Sequence, residues 1–149
     1  MEAIIRRANI EDIKRLEEFL EEAKLSKDGV ESCVEYFLIM ENQMGDIKAT
    51  LGIEPLGEIG LLRSLAIRQG VDEIEKSLFM LIEQILILAK DKQLQALYLA
   101  SNKKNSSDFF RLMGFIEEEI ENLPKVLCQS DHVKHILTVD NSFFLKLSI

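Results

Sequence analysis

The sequence has very little of several residue types that would point to particular classes of protein. It contains no tryptophan and only two each of cysteine, proline and histidine. Cys33 and Cys128 lie far apart and in no CxxC pair, so we expect two free thiols in a reducing compartment rather than a disulfide framework. His132 and His135 have no cysteine or cluster of acids beside them, so no metal site is predicted.

Positive charge and long apolar runs are also scarce. Lysine and arginine total 18 against 26 aspartates and glutamates, which gives a net charge of −8. Because an acidic chain repels phosphate backbones and anionic headgroups, we expect neither nucleic acid nor membrane as a partner. The most apolar stretch, 78–89, contains Glu83 and Gln84 and is shorter than the ~20 residues that span a bilayer. The first residues show no signal-peptide pattern, and we expect a cytoplasmic protein.

The residues that are present are those of a well-cored globular protein. Apolar residues make up 47% of the 149 positions, and no repeat, linker or low-complexity segment interrupts them. A chain of this length buries about two-thirds of its unfolded surface and needs no disulfide or metal for stability. We therefore expect a single domain over residues 1–149.

The apolar pattern predicts strands and helices in alternation. A helix follows the N-cap Asn9, and others are expected at 71–92, 108–113 and 123–129. Strands are expected at 3–7, 34–40, 47–53, 60–67, 96–100, 115–120 and 142–147. The strand 60–67 is apolar enough to be central and covered on both faces, and the helix 71–92 to be buried on more than one side. This order indicates an α+β fold with a mixed sheet.

The junction between that strand and that helix is ambiguous. A strand, a glycine and a helix N-terminus in succession form a common phosphate site, and Gly70 occupies the turn. However, Asp72, Glu73 and Glu75 stand in the first helical turn, where carboxylates satisfy the N–H groups and the dipole themselves. The junction can therefore be interpreted either as the start of a capped structural helix or as a weakened phosphate site. The lysines at 103 and 104 could reach a phosphate or be solvated surface.

Two motifs carry a resemblance to a known family. LLRSLAI at 61–67, a long helix, and then FFRLMGF at 109–115 resemble the GCN5-related N-acetyltransferase (GNAT) superfamily over nearly the whole chain. The resemblance implies a mixed, mostly antiparallel central sheet flanked by helices. GIEPLGEIGLLRSLAI at 52–67 and ENLPKVL at 121–127 are similar to the amino-acid N-acetyltransferase-like branch associated with arsenic-resistance operons. Members of that branch often carry Cys-Pro where this chain has Asp140 and Asn141.

The resemblance implies acetyl-CoA as the co-substrate. In the family, the strand that carries the L-A-V motif bonds the pantetheine, the following glycine-rich loop holds the pyrophosphate, and the later F-Y-x-x-x-G-F helix packs near the thiol. The matching positions in this chain are Leu65, Ala66, Ile67, Arg68, Gln69, Gly70 and Phe110. The loop is shortened by about two residues and keeps one glycine, so it is a degenerate form of the motif. Phe110 replaces a tyrosine that often serves as the general acid.

Two further residues are candidates for the reaction itself. Glu54 is the candidate general base because the similar branch keeps an acid there; the alternative is a surface glutamate on an edge strand. Arg63 lies within an apolar strand and must find a carboxylate, either in the protein or on a substrate such as an amino acid.

The sequence leaves two functions open. The first is an acetyl-CoA-dependent N-acetyltransferase that acts on a small amine, with an amino acid as one candidate. The second is a non-catalytic protein of the same fold that binds CoA, a metabolite or a protein partner, which the degenerate loop and Phe110 favour. The apolar C-terminal strand at 142–147 could also pair across a homodimer.

Overall fold

The computed structural model describes residues 3–68, 73–101, 104–138 and 142–149, without the side chains of 104–106 and 132. The strands are β1 Ile4–Arg7, β2 Phe37–Glu41, β3 Ile47–Leu56, β4 Ile59–Ile67, β5 Ala96–Ser101, β6 Ile116–Glu118 and β7 Phe143–Ser148. The helices are α1 Ile13–Glu22, α2 Val30–Cys33, α3 Ile74–Asp91, α4 Lys104–Leu112, α5 Lys125–Cys128 and α6 Asp131–Leu137. No helix in the described part of the chain is both long and apolar enough to cross a membrane.

The seven strands form one mixed sheet in the order β1-β2-β3-β4-β5-β7-β6. The ladders β1–β2, β2–β3, β5–β7 and β6–β7 are antiparallel, whereas β4 and β5 are parallel. That parallel ladder spans only three residue pairs, from Ile59–Ala96 to Leu61–Tyr98. The sheet and its helices confirm the predicted α+β fold.

The described residues divide into two compact units, and the first comprises residues 1–54 and 63–92. Its core is built from the apolar stripe of α1 and the inward-facing residues of β2 and β3, including Leu16, Phe19, Leu20, Phe37, Ile39 and Ile47. At the start of this unit, Arg6 forms a fork with buried Asp12, with both N–H···O distances at 2.8 Å. Asp12 also closes a capping box with Asn9, so this ion pair fixes where the α1 segment begins.

The second unit comprises residues 55–62 and 93–149. Its core gathers β5, β7 and the short helices α5 and α6 around Leu61, Tyr98, Leu127, Val133 and Phe144. Strand β7 pairs with β5 along one side and with β6 along the other. Over Phe144–Lys146 it therefore has no open edge, and the predicted homodimer contact through this strand does not fit the sheet. A homodimer by another route stays a prediction, as does the single domain.

Two burial predictions differ from the structure. Helix α3 buries one face, around Leu81, Ile82 and Ile85, but Phe79 and Ile87 are 45% and 50% exposed. In the sequence, apolar residues on the exposed face of α3 made its apolar stripe appear wider, but they do not belong to the core. In β4 only the first half is buried, because Leu65 is 36% exposed and its neighbours Ala66 and Ile67 are half-exposed.

Candidate active site

The exposed half of β4 follows an irregular backbone at Ser64. This residue has φ +59°, a left-handed conformation that L-residues other than glycine rarely adopt, in the middle of a strand. Thr50 of β3 is fully buried, and its hydroxyl donates to the Ser64 carbonyl at 2.8 Å. Such interruptions of the strand alternation re-aim the residues that follow and occur often beside active sites. Here they present Leu65 and its neighbours at the surface.

A pocket of about 570 Å³ lies between this half of β4 and the end of α1. Its apolar wall is formed by Phe19, Leu25, Leu65, Ala66 and Ile67. Glu22, Lys24 and Arg68 supply its charged groups. An apolar wall with cations at its margin suits a ligand with an uncharged chain and an anionic group, and CoA has both. The pocket lining is thus compatible with this co-substrate, and its contact with Leu65, Ala66, Ile67 and Arg68 stays a prediction.

Arg68 is oriented by α1. Its guanidinium lies 5.4 Å from the centroid of the Phe19 ring and 3.4 Å from the Glu22 carboxylate. Its backbone N–H donates to the carbonyl of Lys48 at 2.8 Å, which keeps the end of β4 on the sheet. The next two predicted residues, Gln69 and Gly70, lie outside the described residues, as does Asp72.

Arg63 finds protein partners of an unexpected kind. Its guanidinium donates to the main-chain carbonyls of Asp28 at 2.6 Å and Ser26 at 3.2 Å, and its Nε to Ser64 Oγ at 3.0 Å. Carbonyl dipoles in the turn before α2 accept two of these bonds, and the carboxylate expected for Arg63, from the protein or from a substrate, stays a prediction. Gly29 makes room for this contact, since an added Cβ would lie 3.2 Å from the guanidinium.

The electrostatic surroundings of Arg63 include the candidate base. Burial lowers the pKa of Arg63, and the nearby Glu54 carboxylate opposes that shift. Glu54 lies near the end of β3 and is half-buried, so it is not the freely solvated edge glutamate of the alternative reading. The role of Glu54 as the base stays a prediction.

The sequence suggested that acidic residues such as Glu73 cap the N-terminus of α3, but in the structure the Glu73 side chain does not. This residue is the N-cap with φ +56°, but its side chain makes no capping hydrogen bond. It pairs instead with Lys76 at 3.6 Å, and both side chains are well exposed. In the described residues the helix begins at Ile74, and the predicted start at Val71 lies outside them. Glu75 still adds negative charge to the first turn.

Phe110 lies in the second unit as part of an aromatic cluster. Its ring makes edge-to-face contacts with Phe109 at 5.5 Å and Phe115 at 5.7 Å between centroids, and it is 4% exposed. Its ring thus offers little surface to a ligand, and its contact with CoA stays a prediction. Helix α4 begins at Lys104, earlier than the predicted 108, and ends at Leu112, and Gly114 in the turn that follows has φ +106°.

Several residues of the site were not found from the sequence. Thr50, Ser64, Glu22 and Lys24 gave no motif, because their roles arise from backbone conformation and from neighbours distant in the chain. Among the described residues, no group of three or more His, Cys, Asp or Glu side chains could hold a metal ion. Cys33 and Cys128 are both free and half-buried.

Comparison with solved structures identifies the fold. The chain superposes with a TM-score of 0.75 on Rv2747 from Mycobacterium tuberculosis, crystallised in complex with CoA, at 18% identity over 98% of this chain and 99% of that one. N-acetylglutamate synthase from Neisseria gonorrhoeae, complexed with coenzyme A and N-acetyl-glutamate, gives 0.74 at 20% identity over 99% of this chain but only 35% of its own. A GNAT-family acetyltransferase from Staphylococcus aureus Mu50 gives 0.72 at 17% identity, over 98% of each chain.

A curated protein sequence is more closely similar. The uncharacterized protein YwlB of Bacillus subtilis strain 168 is 36% identical over 129 residues, which cover 86% of this chain and 85% of that protein. No protein-family model matches the chain. The chain therefore belongs to the same family as YwlB, and its fold is that of the GNAT acetyltransferases.

Proposed function

We propose that the protein is an acetyl-CoA-dependent N-acetyltransferase that acts on a small amine, with amino acids as the first class to test. The observation that carries the proposal is the exposed half of β4 after Ser64, which lines a pocket on a fold that several CoA-bound proteins share. The resemblance to the branch associated with arsenic-resistance operons supports the amino-acid substrate class.

Acetyl-CoA supplies the activated acetyl group, and the protein has to hold and polarise it. In this proposal, the backbone of Leu65, Ala66 and Ile67, which follows the left-handed Ser64, offers an N–H to the thioester carbonyl. Arg68 attracts the phosphates, together with the predicted Gln69 and Gly70. The rate gain then comes mainly from orientation and from charge stabilisation.

Glu54 and Arg63 would act on the amine. A neutral amine is the nucleophile, so a carboxylate at the end of β3 can accept its proton directly or through a water molecule. The hydrogen bonds described for Arg63 account for three of its five N–H groups. The other two could meet the carboxylate of an amino acid, which supports Arg63 as a substrate-binding residue.

A non-catalytic role is the second candidate, and one observation favours it. Phe110 stands where the family often has a tyrosine, and a phenyl ring cannot protonate the departing thiolate. It is also 4% exposed and packed between two other rings. A protein of this fold that binds CoA, a metabolite or a protein partner without turnover would have these features.

Calorimetric titration with acetyl-CoA tests the proposal. We expect binding to the parent protein and at least tenfold weaker binding to Leu65→Glu, because the substitution replaces an apolar pocket residue with an anion. Leu112→Glu is the matched control, since Leu112 is 87% exposed on α4 and the change in charge is the same. Equal affinity in all three proteins would remove β4 as the binding surface.

An acetylation assay separates the two candidates. Release of the CoA thiol is followed in the presence of single amino acids and simple amines. Amine-dependent release supports the transferase, and it should fall in Glu54→Gln while acetyl-CoA affinity is kept. Binding of acetyl-CoA without release across the panel favours the non-catalytic protein.

A further inference from the structure

We propose that Lys24 and Arg68 form an anion-binding pair in the pocket between α1 and β4, and that Glu22 is the counterion that an anionic ligand displaces. The expected ligand group is a phosphate or a carboxylate. The proposal rests on the proposed function only for the source of that group, which would be acetyl-CoA or the acceptor.

The backbone at Lys24 is the first argument. Lys24 follows the end of α1 with φ +61°, the position after the C-cap that glycine usually occupies. Its N–H bonds to the Glu21 carbonyl at 3.0 Å, and the N–H of Leu25 bonds to Leu20 at 2.9 Å, which is the Schellman arrangement. A lysine here is held in a strained conformation, and it lines the pocket.

The contacts of Arg68 are the second argument. Its guanidinium is held above Phe19 and beside Glu22 at 3.4 Å, and all three residues line the same pocket as Lys24. The Glu22 side chain is 71% exposed, so this ion pair is weak and can be exchanged for a ligand anion. With Glu22 displaced, the two cations remain for the ligand.

The charges of the strand–helix junction explain why a second cation would be useful. The first turn of α3 carries Glu75, and the side chain of its N-cap Glu73 is also negative. A helix start of this kind attracts an anion less than the glycine-rich loop of the GNAT motif. Lys24 supplies positive charge from the end of α1 instead, in the pocket that the arginine after β4 also lines.

Substitution of Lys24 by glycine separates binding from stability. Glycine relieves the left-handed backbone, so the melting temperature should rise by about 1–4 °C or stay unchanged. Affinity for the anion should fall about fivefold or more, since even full water screening leaves a factor of about five for unit charges at 4 Å. Lys24→Arg should keep the affinity, and Glu22→Gln should raise it.

Gln93 gives a matched control. It follows the C-cap of α3 with φ +61°, and it is also a non-glycine residue in the left-handed conformation. Gln93→Gly should relieve the same kind of strain and leave ligand affinity as it is. A fall in affinity in Lys24→Gly alone therefore reports the lost cation rather than the change in backbone.

Three ligands are titrated at constant ionic strength: acetyl-CoA, inorganic pyrophosphate and L-glutamate. The pair is supported when at least one of them binds the parent and is weakened in Lys24→Gly but not in Gln93→Gly. If Lys24→Gly weakens the binding of pyrophosphate, the pair binds the phosphates of CoA. If it weakens the binding of L-glutamate alone, the pair binds the acceptor. If none of the ligands binds the parent at 10 mM (about the weakest affinity that calorimetry resolves), or if Lys24→Gly binds as the parent does, the pair is refuted.

The same titrations keep the two proposals apart. Binding of pyrophosphate or L-glutamate that is weakened in Lys24→Gly but not in Gln93→Gly, without binding of acetyl-CoA, would support the anion-binding pair and contradict the acetyl-CoA-dependent function. Binding of acetyl-CoA with equal affinity to the parent and to Lys24→Gly would contradict the pair and leave that function standing.

Discussion

The hydrogen bond between Thr50 and Ser64 provides the sharpest test of how β4 is shaped. Thr50→Val keeps the branched side chain but removes the hydroxyl that donates to the Ser64 carbonyl at 2.8 Å. Thr50 is fully buried and Ser64 is half-buried, so the Ser64 carbonyl loses its donor in a place with limited access for water. The left-handed Ser64 then loses the contact that holds it.

The expected cost follows from burial. A buried carbonyl without its partner costs about 1–3 kcal/mol, and the added methyl group of valine offsets part of this by about 0.8 kcal/mol. We therefore expect the free energy of unfolding to fall by about 0.2–2 kcal/mol, which corresponds to about 0.5–8 °C in melting temperature for a chain of this size. If about 1 kcal/mol of this loss appears in the free energy of ligand binding at Leu65, affinity for acetyl-CoA should fall about fivefold.

Urea denaturation and calorimetry measure both effects. Thr138→Val is the control, because the hydroxyl of Thr138 also donates to a carbonyl, that of His135 at 2.6 Å, but the residue is exposed. Water can replace that bond, so stability should change by less than about 0.5 kcal/mol. Equal stability of Thr50→Val and Thr138→Val would refute the reasoning about Ser64.

Two further changes test the ion pair and the turn in the first unit. Arg6 lowers the pKa of Asp12, so Asp12 stabilises the fold above its unfolded pKa of about 3.9 and loses that effect as the pH falls through its folded pKa. Asp12→Asn should therefore lower the free energy of unfolding by about 2–4 kcal/mol at pH 7. In urea titrations, the difference in this free energy between the variant and the parent should shrink below about pH 4. A difference that does not change with pH would contradict this. Arg63→Met should remove the hydrogen bonds to Ser26 and Asp28 and increase hydrogen exchange of the backbone amides in that turn, measured by mass spectrometry. Unchanged exchange would show that Arg63 does not hold the turn.

The sequence predicted the fold because the order of its elements is strongly patterned. Apolar periodicity defined the strands and the long helix, and the motifs at 61–67 and 109–115 gave the order that the GNAT fold requires. The bounds of helix α6 were not predicted although a signal was present, since Ser130 is followed by an acid and its side chain accepts from the backbone N–H of Val133.

The site was predicted less completely, for physical reasons. An apolar residue that faces a ligand, such as Leu65, has the same sequence signal as one in the core. Two of the acceptors of Arg63 are main-chain carbonyls, which every residue carries, so no sequence pattern could name them. Ser64 and Lys24 adopt left-handed conformations, which a glycine at these positions would have indicated in the sequence. A contact with the distant Thr50 holds Ser64, and hydrogen bonds at the end of α1 hold Lys24.

Nuclear magnetic resonance of the ¹⁵N-labelled protein, titrated with acetyl-CoA, tests the central claim most directly. The claim is that the part of β4 after Ser64 is the surface that holds the acyl-CoA. We predict that the largest amide shifts on saturation occur at Leu65, Ala66, Ile67 and Arg68. Saturable binding with shifts confined to other elements, such as β6, or no shifts at millimolar acetyl-CoA, would contradict the account.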